Sequence, residues 1–200
     1  MLDELRDLTN KPSVVYNASK TSIFFAEDWA LLKSWLNFLY NYITDFFNKK
    51  ISYVMVLDRK FSTNQGGTFT AGAWITREIN YRQFDTDNIC SISSNQITLP
   101  AGTYIADIKA PSYQTDKSLL RLYDTNRSVA LLVSIGGRSY QTNDATQVID
   151  MLSGQFTLPE TSVLEIQHRC KVTRADYGFG IGNDWGDPCI FTVAQFWKMK

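Results

Sequence analysis

Residues 102–110, with the sequence GTYIADIKA, alternate between apolar and polar side chains. In an extended strand, this alternation separates two faces. One face would carry Tyr104, Ala106, Ile108 and Ala110. The other would carry Asp107 and Lys109. The segment therefore predicts a strand with one face in a hydrophobic core and the other toward solvent or a neighbouring subunit.

The strand-like pattern continues on both sides of this segment, through residues 51–200. Short runs of β-branched, aromatic and alternating residues are separated by clusters of Gly, Asn, Asp, Ser and Pro, which is typical of strands joined by turns. We predict strands at Tyr53–Arg59, Ala73–Tyr81, Gln96–Leu99, Gly102–Ala110, Ser118–Asp124, Ser128–Ser134, Thr146–Leu158, Ser162–Val172 and Cys189–Lys198. Since no helices alternate with them, the pattern indicates an antiparallel sandwich or barrel.

Residues 23–50 have a helical period instead. Apolar side chains recur at heptad spacing in three rows, which predicts one amphipathic helix. The rows contain Phe25, Leu32, Leu39 and Phe46, then Trp35 and Tyr42, then Trp29, Leu36 and Ile43. The longest uncharged stretch, Ser34–Thr44, is shorter than the ~20 residues needed to span a bilayer. We expect the helix to pack on its symmetry mates or on another protein, with Trp35, Leu39 and Tyr42 as candidate trimer contacts.

We divide the chain into an attachment segment, residues 1–50, and a head domain, residues 51–200. Residues 1–22 are expected to be extended and to dock on a partner. The beginning of the chain has no apolar core of signal-peptide length, so we expect synthesis in a cytoplasm without Sec-type export. The 20 basic and 20 acidic residues balance, which predicts no nucleic-acid partner and no attraction to an anionic membrane.

The three cysteines, Cys90, Cys170 and Cys189, are odd in number and far apart in the sequence. This favours reduced thiols buried as small apolar side chains over a disulfide framework. Because Cys170 and Cys189 both lie near predicted strand ends, a pairing between those two stays open.

Catalytic patterns are weak in this sequence. The single histidine, His168, lies in an alternating strand segment, and no serine or cysteine has a nucleophile-elbow pattern. His168 and Cys170 offer only a weak metal-ligand spacing, so we predict a paired or core-edge histidine and no metal. The glycine-rich residues 178–183 do not match a dinucleotide fingerprint, and we expect these glycines to allow a bend or a close backbone approach.

Carboxylate pairs are the other candidates for chemistry. Asp85 with Asp87, and Asp184 with Asp187, lie in turn-like sequence, where Asp commonly bonds to nearby backbone. We therefore interpret both pairs as structural. Calcium binding through Asp124 and Asn126, or through the second pair, stays open, although no loop has EF-hand spacing.

An ordered series of short segments resembles a known family. The segments are Leu99–Tyr104, Ala110–Tyr113, Arg121–Asp124, Ser153–Leu158, Glu165–Cys170 and Gly178–Gly180. The series resembles the C-terminal head domain of phage tail fibres and of related large-virus surface proteins, whose fold is similar to the C1q and tumour-necrosis-factor jelly roll. The resemblance covers residues 68–200. It implies an all-β antiparallel jelly-roll sandwich in a homotrimer, receptor contacts on distal loops, no cofactor and no catalysis.

These observations predict a virion surface fibre or spike, made in the host cytoplasm, whose trimeric head binds a host surface glycan or protein. Residues 1–50 would attach it to other virion proteins. The candidate receptor contacts are Tyr113, Gln114, Asp116, Tyr140, Asn143, Asp184 and Trp185. The candidate subunit contacts in the head are Tyr104, Tyr123, Phe179, Phe191 and Phe196. Two alternatives are a structural capsid decoration or connector with the same fold, and a polysaccharide depolymerase that uses Asp184 or Asp187.

Overall fold

A computed structural model describes residues 26–48, 51–140 and 146–199. The chain forms two compact units, which meet in the sequence between Lys50 and Ile51. The first contains helix α1, Ala26–Asn48. The second contains strands β1 Ser52–Lys60, β2 Ile75–Thr76, β3 Tyr81–Asp85, β4 Ser91–Ser93, β5 Gln96–Leu99, β6 Gly102–Tyr113, β7 Asp116–Asp124, β8 Val129–Val133, β9 Gly137–Ser139, β10 Gln147–Leu158, β11 Ser162–Cys170 and β12 Cys189–Met199.

Helix α1 confirms the predicted N-terminal helix. Trp35 and Tyr42 are exposed on it, and Leu39 is half-buried. The rings of Phe38 and Tyr42, one turn apart, stack with centroids 6.3 Å apart. No helix in the described part of the chain is both long enough and apolar enough to cross a membrane. Residues 1–22, predicted to be extended, and Phe25 lie outside the described residues.

Two antiparallel sheets form the second unit. The first sheet has the strand order β10-β6-β12-β1-β3. The second has the order β4-β5-β11-β7-β8, with β2 paired to β11 and β9 paired to β7. Four antiparallel pairs are nested along the chain and alternate between the sheets: β1 with β12, β5 with β11, β6 with β10, and β7 with β8. Nested pairs of this kind define a jelly roll, so the predicted fold class is confirmed.

The predicted strand Ala73–Tyr81 is wrong in its second half. The chain pairs with β11 only at Ile75 and Thr76, and it then crosses to the first sheet, where β3 pairs with β1. Residues 77–80 make this crossing: Arg77 N still donates to Ile166 O of β11 at 2.7 Å, and Asn80 N already donates to Leu57 O of β1 at 3.0 Å. Strands β3, β4 and β9 were not predicted. Strands β4 and β9 have only three residues each, and in β3 four consecutive residues are exposed, so none of them shows an alternation of apolar and polar side chains that follows burial.

The core lies between the sheets and confirms the alternation of β6. Tyr104, Ala106, Ile108 and Ala110 are fully buried. The Tyr104 hydroxyl donates to the Pro100 carbonyl at 2.7 Å, and its ring stacks on Phe156 with centroids 5.4 Å apart.

Three of the candidate subunit contacts are buried inside the single chain, so their prediction as surface contacts is wrong. Tyr104 and Phe196 are buried in the core between the sheets, and Phe191 is also buried within the single chain. Phe196 lies edge-on to Phe156, with centroids 6.3 Å apart. None of the three can supply an exposed surface to a second copy without unfolding the core.

Candidate functional site

The candidate receptor contacts that the structure describes all lie near one end of the sandwich, which we call the distal end. Here β1 ends opposite the first residue of β12, since Lys60 pairs with Cys189. Likewise β6 ends opposite the first residue of β10, since Tyr113 pairs with Gln147. The distal loops join these strand ends, and their described residues are 61–71, 114–115, 134–136, 140, 146 and 171–188. The strand β1 begins at the opposite end.

Backbone hydrogen bonds connect two of the distal loops. Gly66 N donates to Gly180 O at 2.9 Å, and Phe179 N donates to Gly67 O at 3.1 Å. Phe69 forms an isolated bridge with Arg174. The close approach requires glycine: a Cβ atom on Gly66 would lie 2.4 Å from a backbone carbon of Phe179. The prediction that the glycine-rich segment passes close to a neighbouring backbone is confirmed.

The buried side chain of Arg77 holds these loops in place through hydrogen bonds. Arg77 Nη2 donates to Phe191 O at 2.7 Å and to Phe179 O at 3.2 Å, and Nη1 donates to Pro111 O at 3.3 Å. Its guanidinium lies 4.3 Å from the centre of the Phe179 ring. Burial lowers its pKa to about 10, with the carboxylates of Asp58 and Asp150 acting in the opposite direction. The guanidinium therefore stays charged at neutral pH and fixes three backbone carbonyls at the distal end.

The histidine lies next to this anchor, also out of contact with solvent. His168 Nε2 is 2.7 Å from Asp150 Oδ2, which also accepts from the Ser118 hydroxyl at 2.6 Å. The ring of Phe69 covers the imidazole, with centroids 4.7 Å apart. Burial lowers the pKa of His168 to about 4, so the imidazole is neutral. A substrate cannot reach these buried side chains, and the cluster links β10 of the first sheet to β7 and β11 of the second.

Exposed aromatic side chains mark the distal end. Trp185 is 88% exposed and Phe61 is 83% exposed. Tyr140 is also exposed. The loop that carries Trp185 is held by Cys189, whose sulfur accepts from Asn183 N at 3.1 Å and approaches Ser62 O at 3.5 Å. Rigidly supported loops with exposed aromatic rings are suited to protein or glycan contacts.

The other predicted contacts have different surroundings. Asp116 forms ion pairs with Arg138 at 3.2 Å and Lys171 at 3.1 Å, which lower the pKa of its carboxyl. Tyr113 and Gln114 are half-buried, and Tyr113 N donates to Gly178 O. Asp184 is exposed. Asn143 lies outside the described residues.

The candidates for disulfide and metal chemistry have structural roles. All three cysteines are buried and free, so Cys170 and Cys189 do not pair. Asp85 accepts from the backbone of Ile89 and Cys90, as the structural interpretation predicted. Asp124 binds Arg127, and Asn126 accepts from Val163 N. Among the described residues, no three His, Cys, Asp or Glu side chains are grouped to hold a metal ion.

The outer face of the first sheet carries a row of apolar side chains that was not predicted, beside polar side chains such as the ion-paired Asp107 and Lys109. Neighbouring strands bring Tyr53, Trp197 and Ile105 into one row by register. The Tyr53 ring lies 5.4 Å from that of Trp197 and 6.3 Å from that of Phe84. Other exposed apolar side chains on this sheet are Tyr81, Ile149 and Met151. Only the strand order brings these residues together, because in the sequence they are scattered over five strands.

The outer face of the second sheet is polar and internally bonded. Glu165 accepts from Gln96 at 2.9 Å and from Thr76 at 2.8 Å, and these bonds lower its pKa against the effect of burial. Arg121 donates twice to Gln167 and stacks between two rings, 4.1 Å from Trp74 and 4.4 Å from Tyr123.

Two further candidate subunit contacts, Tyr123 and Phe179, do not lie on the outer face of the first sheet. Tyr123 lies on the outer face of the second sheet, beneath Arg121. Phe179 lies in a distal loop, stacked on Phe69 with centroids 4.4 Å apart. Both rings already pack against side chains of their own chain.

The comparisons with known proteins concern the fold. No protein-family model and no curated protein matches this sequence. The structure of murine APRIL at pH 5.0 is similar, with a TM-score of 0.50 and 10% identity, covering 75% of this chain and 100% of that chain. The globular domain of zebrafish complement 1qA has a TM-score of 0.45 and 16% identity, covering 75% of this chain and 96% of that chain.

Identities this low bear on the fold alone. The likeness to murine APRIL agrees with the nested strand pairs, which were derived from the register without it. Residues 51–200 therefore have an antiparallel jelly-roll sandwich fold of the C1q and tumour-necrosis-factor type.

Proposed function

We propose that this chain is a virion surface fibre or spike, assembled as a homotrimer, whose jelly-roll head binds a host-cell surface receptor through its distal loops. The observation that carries the proposal is the contrast between the two outer sheet faces: the first carries exposed apolar and aromatic side chains, whereas polar side chains on the second are bonded to one another.

The apolar face is the proposed subunit interface. Ile105 is 39% exposed and Met151 is 60% exposed at the centre and side of the first sheet, and Phe84 is exposed beyond them. A contiguous apolar and aromatic patch is favourable to bury against another protein. A closed assembly of identical copies buries it without an additional partner. Exposed Trp35 and Tyr42 on α1 offer a second apolar surface for the same copies or for other virion proteins.

The distal loops are the proposed receptor-binding surface. Their aromatic side chains are exposed, whereas the loop backbones are fixed by Arg77 and by the hydrogen bonds between residues 66–67 and 179–180. A rigid support lowers the entropy lost on binding. Three copies in one particle would add avidity to individually weak contacts.

The virion assignment is supported by the ordered segments between Leu99 and Gly180, which resemble viral fibre heads. The alternative is a structural decoration or connector that uses α1 for docking and binds no receptor. The exposed aromatic residues of α1 are compatible with a receptor-binding fibre and with a structural connector, so a test of the distal loops must distinguish the two functions.

The test is adsorption of the purified full chain to candidate host cells. We expect Trp185→Ala to reduce adsorption at least tenfold, since large aromatic contacts commonly contribute 2 kcal/mol or more to binding. The matched control is Trp74→Ala, which removes a tryptophan from the outer face of the second sheet. Equal adsorption by both variants and the unaltered chain would contradict the distal-loop proposal, and a lack of adsorption to any host would favour the structural alternative.

A further inference from the structure

A shallow groove of about 410 Å³ lies on the outer face of the second sheet, toward its distal end. Parts of β7 and β11 form its floor, and Gly72 lies at its border. The only charged side chains that line it are Lys117, Arg169 and Lys171. All three are cationic, so within the described residues the groove lining contains no carboxylate.

The sheet register concentrates these cations. Arg169 pairs across the ladder with Leu119, and beyond the end of β11 the Lys171 N–H donates to Lys117 O at 2.9 Å. The two strands therefore stay adjacent along the whole groove. Arg169 and Lys171 project to the same face because they are two residues apart, roughly 7 Å along an extended chain. Cys170 between them is buried.

Most of this positive charge is not neutralised by the protein. Asp116 Oδ2 lies 3.1 Å from Lys171, but its other oxygen is engaged by Arg138. Lys117 and Arg169 have no ionic partner in the part of the chain that the structure describes. The excess is local, since the whole chain carries 20 basic and 20 acidic residues.

Two side chains farther along the same sheet face are already engaged. Glu165, farther along β11, already accepts hydrogen bonds from Gln96, Thr76 and Gln167. Arg121 is stacked between Trp74 and Tyr123 and donates to Gln167. Neither group is available to bind a ligand, whereas the groove cations are exposed.

We propose that this groove binds an acidic polysaccharide, with sulfate or carboxylate groups held by Lys117, Arg169 and Lys171. A guanidinium can bind such an anion through two parallel hydrogen bonds, and ammonium groups add charge on either side. The described lining offers no aromatic ring on which a nucleic-acid base could stack, and the balanced total charge gives no long-range attraction to a polyphosphate. This inference goes beyond the proposed function, because the groove uses neither Trp185 nor Tyr140.

The test measures binding of the full chain to dextran sulfate, to hyaluronate and to neutral dextran. We expect the unaltered protein to bind one or both acidic polymers, with an affinity that falls as salt rises, and not to bind neutral dextran. The triple variant Lys117→Gln, Arg169→Gln, Lys171→Gln should bind at least tenfold more weakly near 0.15 M salt, with a smaller salt dependence. The charge-retaining triple Lys117→Arg, Arg169→Lys, Lys171→Arg should keep most of the affinity.

A single-charge control separates the groove from general electrostatics. Lys109→Gln removes one positive charge from the outer face of the first sheet and should lower the affinity less than Arg169→Gln does. Trp185→Ala should leave binding to the acidic polymer unchanged, because Trp185 does not line the groove. The groove proposal and the distal-loop proposal can therefore fail independently of each other. Equal losses from Lys109→Gln and Arg169→Gln, binding of single-stranded DNA as tight as that of the acidic polymers, or no binding to any acidic polymer would overturn the proposal.

Discussion

Both sheets of the sandwich bury apolar side chains on their inner faces, but their outer faces differ in polarity. On the first sheet, Tyr53, Trp197 and Ile105 form a row of apolar side chains. On the second sheet, hydrogen bonds join Arg121, Gln167 and Glu165, and aromatic rings cover the arginine. The polar groups of the second face are therefore satisfied within one chain, whereas the first face has apolar surface that an additional partner would bury. In the proposed trimer, two further copies of the chain would bury it.

The largest expected effect comes from placing a charge on each face. Ile105→Asp puts a carboxylate in the proposed interface, where it would be desolvated without a partner. We expect the assembly to weaken by a factor of 100 or more, measured by sedimentation of the full chain over a range of concentrations. The matched change on the second sheet, Thr98→Asp, should leave the mass unchanged. Equal effects of the two substitutions would remove the distinction between the faces.

A smaller effect is expected from truncating one tryptophan on each face. Trp197→Ala should weaken the assembly by about 2–4 kcal/mol, in the range of an interface hot spot. Trp74→Ala removes a ring that stacks on Arg121 and should lower the free energy of unfolding by about 0.5–1 kcal/mol without changing the mass. Analytical ultracentrifugation and urea unfolding measure the two quantities separately. A larger loss of assembly in the Trp74 variant would reverse our assignment of the faces.

The smallest expected effect is the net change in the free energy of unfolding with pH, to which the buried side chains of His168 and Asp58 contribute. The pKa of His168 is lowered to about 4 by burial, so the unfolded chain takes up its proton first and stability falls as pH decreases from about 6.5 to 4. The pKa of Asp58 is raised to about 6 by burial, so the folded chain takes up that proton first and stability rises as pH decreases over nearly the same range. The two contributions oppose each other, and we expect a shallow pH dependence in the unaltered chain.

Single substitutions should separate these contributions. In Asp58→Asn, stability should fall between pH 6.5 and 4, by up to about 3 kcal/mol for a shift of the size given for His168. In His168→Gln, stability should instead rise as pH decreases from 6 toward 4. Urea unfolding at several pH values gives the sign for each variant, independently of any general loss of stability. If stability changed in the same direction with pH in both variants, one of the two pKa shifts, that of His168 or that of Asp58, would be wrong.

Strands with one buried and one exposed face could be predicted from the sequence, because the alternation of apolar and polar residues follows burial. The strand Gln96–Leu99 was predicted with its observed bounds, and β6 was predicted with its correct buried face. The crossing at residues 77–80 could not be predicted, because Ile75, Arg77 and Ile79 alternate as a strand would. No sequence signal marks Arg77 as a buried anchor, since its partners are backbone carbonyls and the Thr192 hydroxyl of distant segments.

The outer face of the first sheet was missed for a related reason. The prediction chose Tyr104 and Phe196, whereas the exposed face carries the adjacent residues Ile105 and Trp197. A shift of one residue along a strand exchanges the two faces, and both neighbours are apolar on these strands. By contrast, the distal loops were predicted to contain the candidate contacts because turn-forming residues and exposed aromatic residues mark them in the sequence. Their convergence on one end follows from the strand register.

The molar mass of the full chain in solution, determined by light scattering over a range of concentrations, tests the assigned role of the apolar face most directly. We expect a particle of three times 22.8 kDa. We also expect Ile105→Asp to shift the mass toward that of one chain, whereas Thr98→Asp should not. A stable, folded single chain of 22.8 kDa at all concentrations would contradict the proposed trimer.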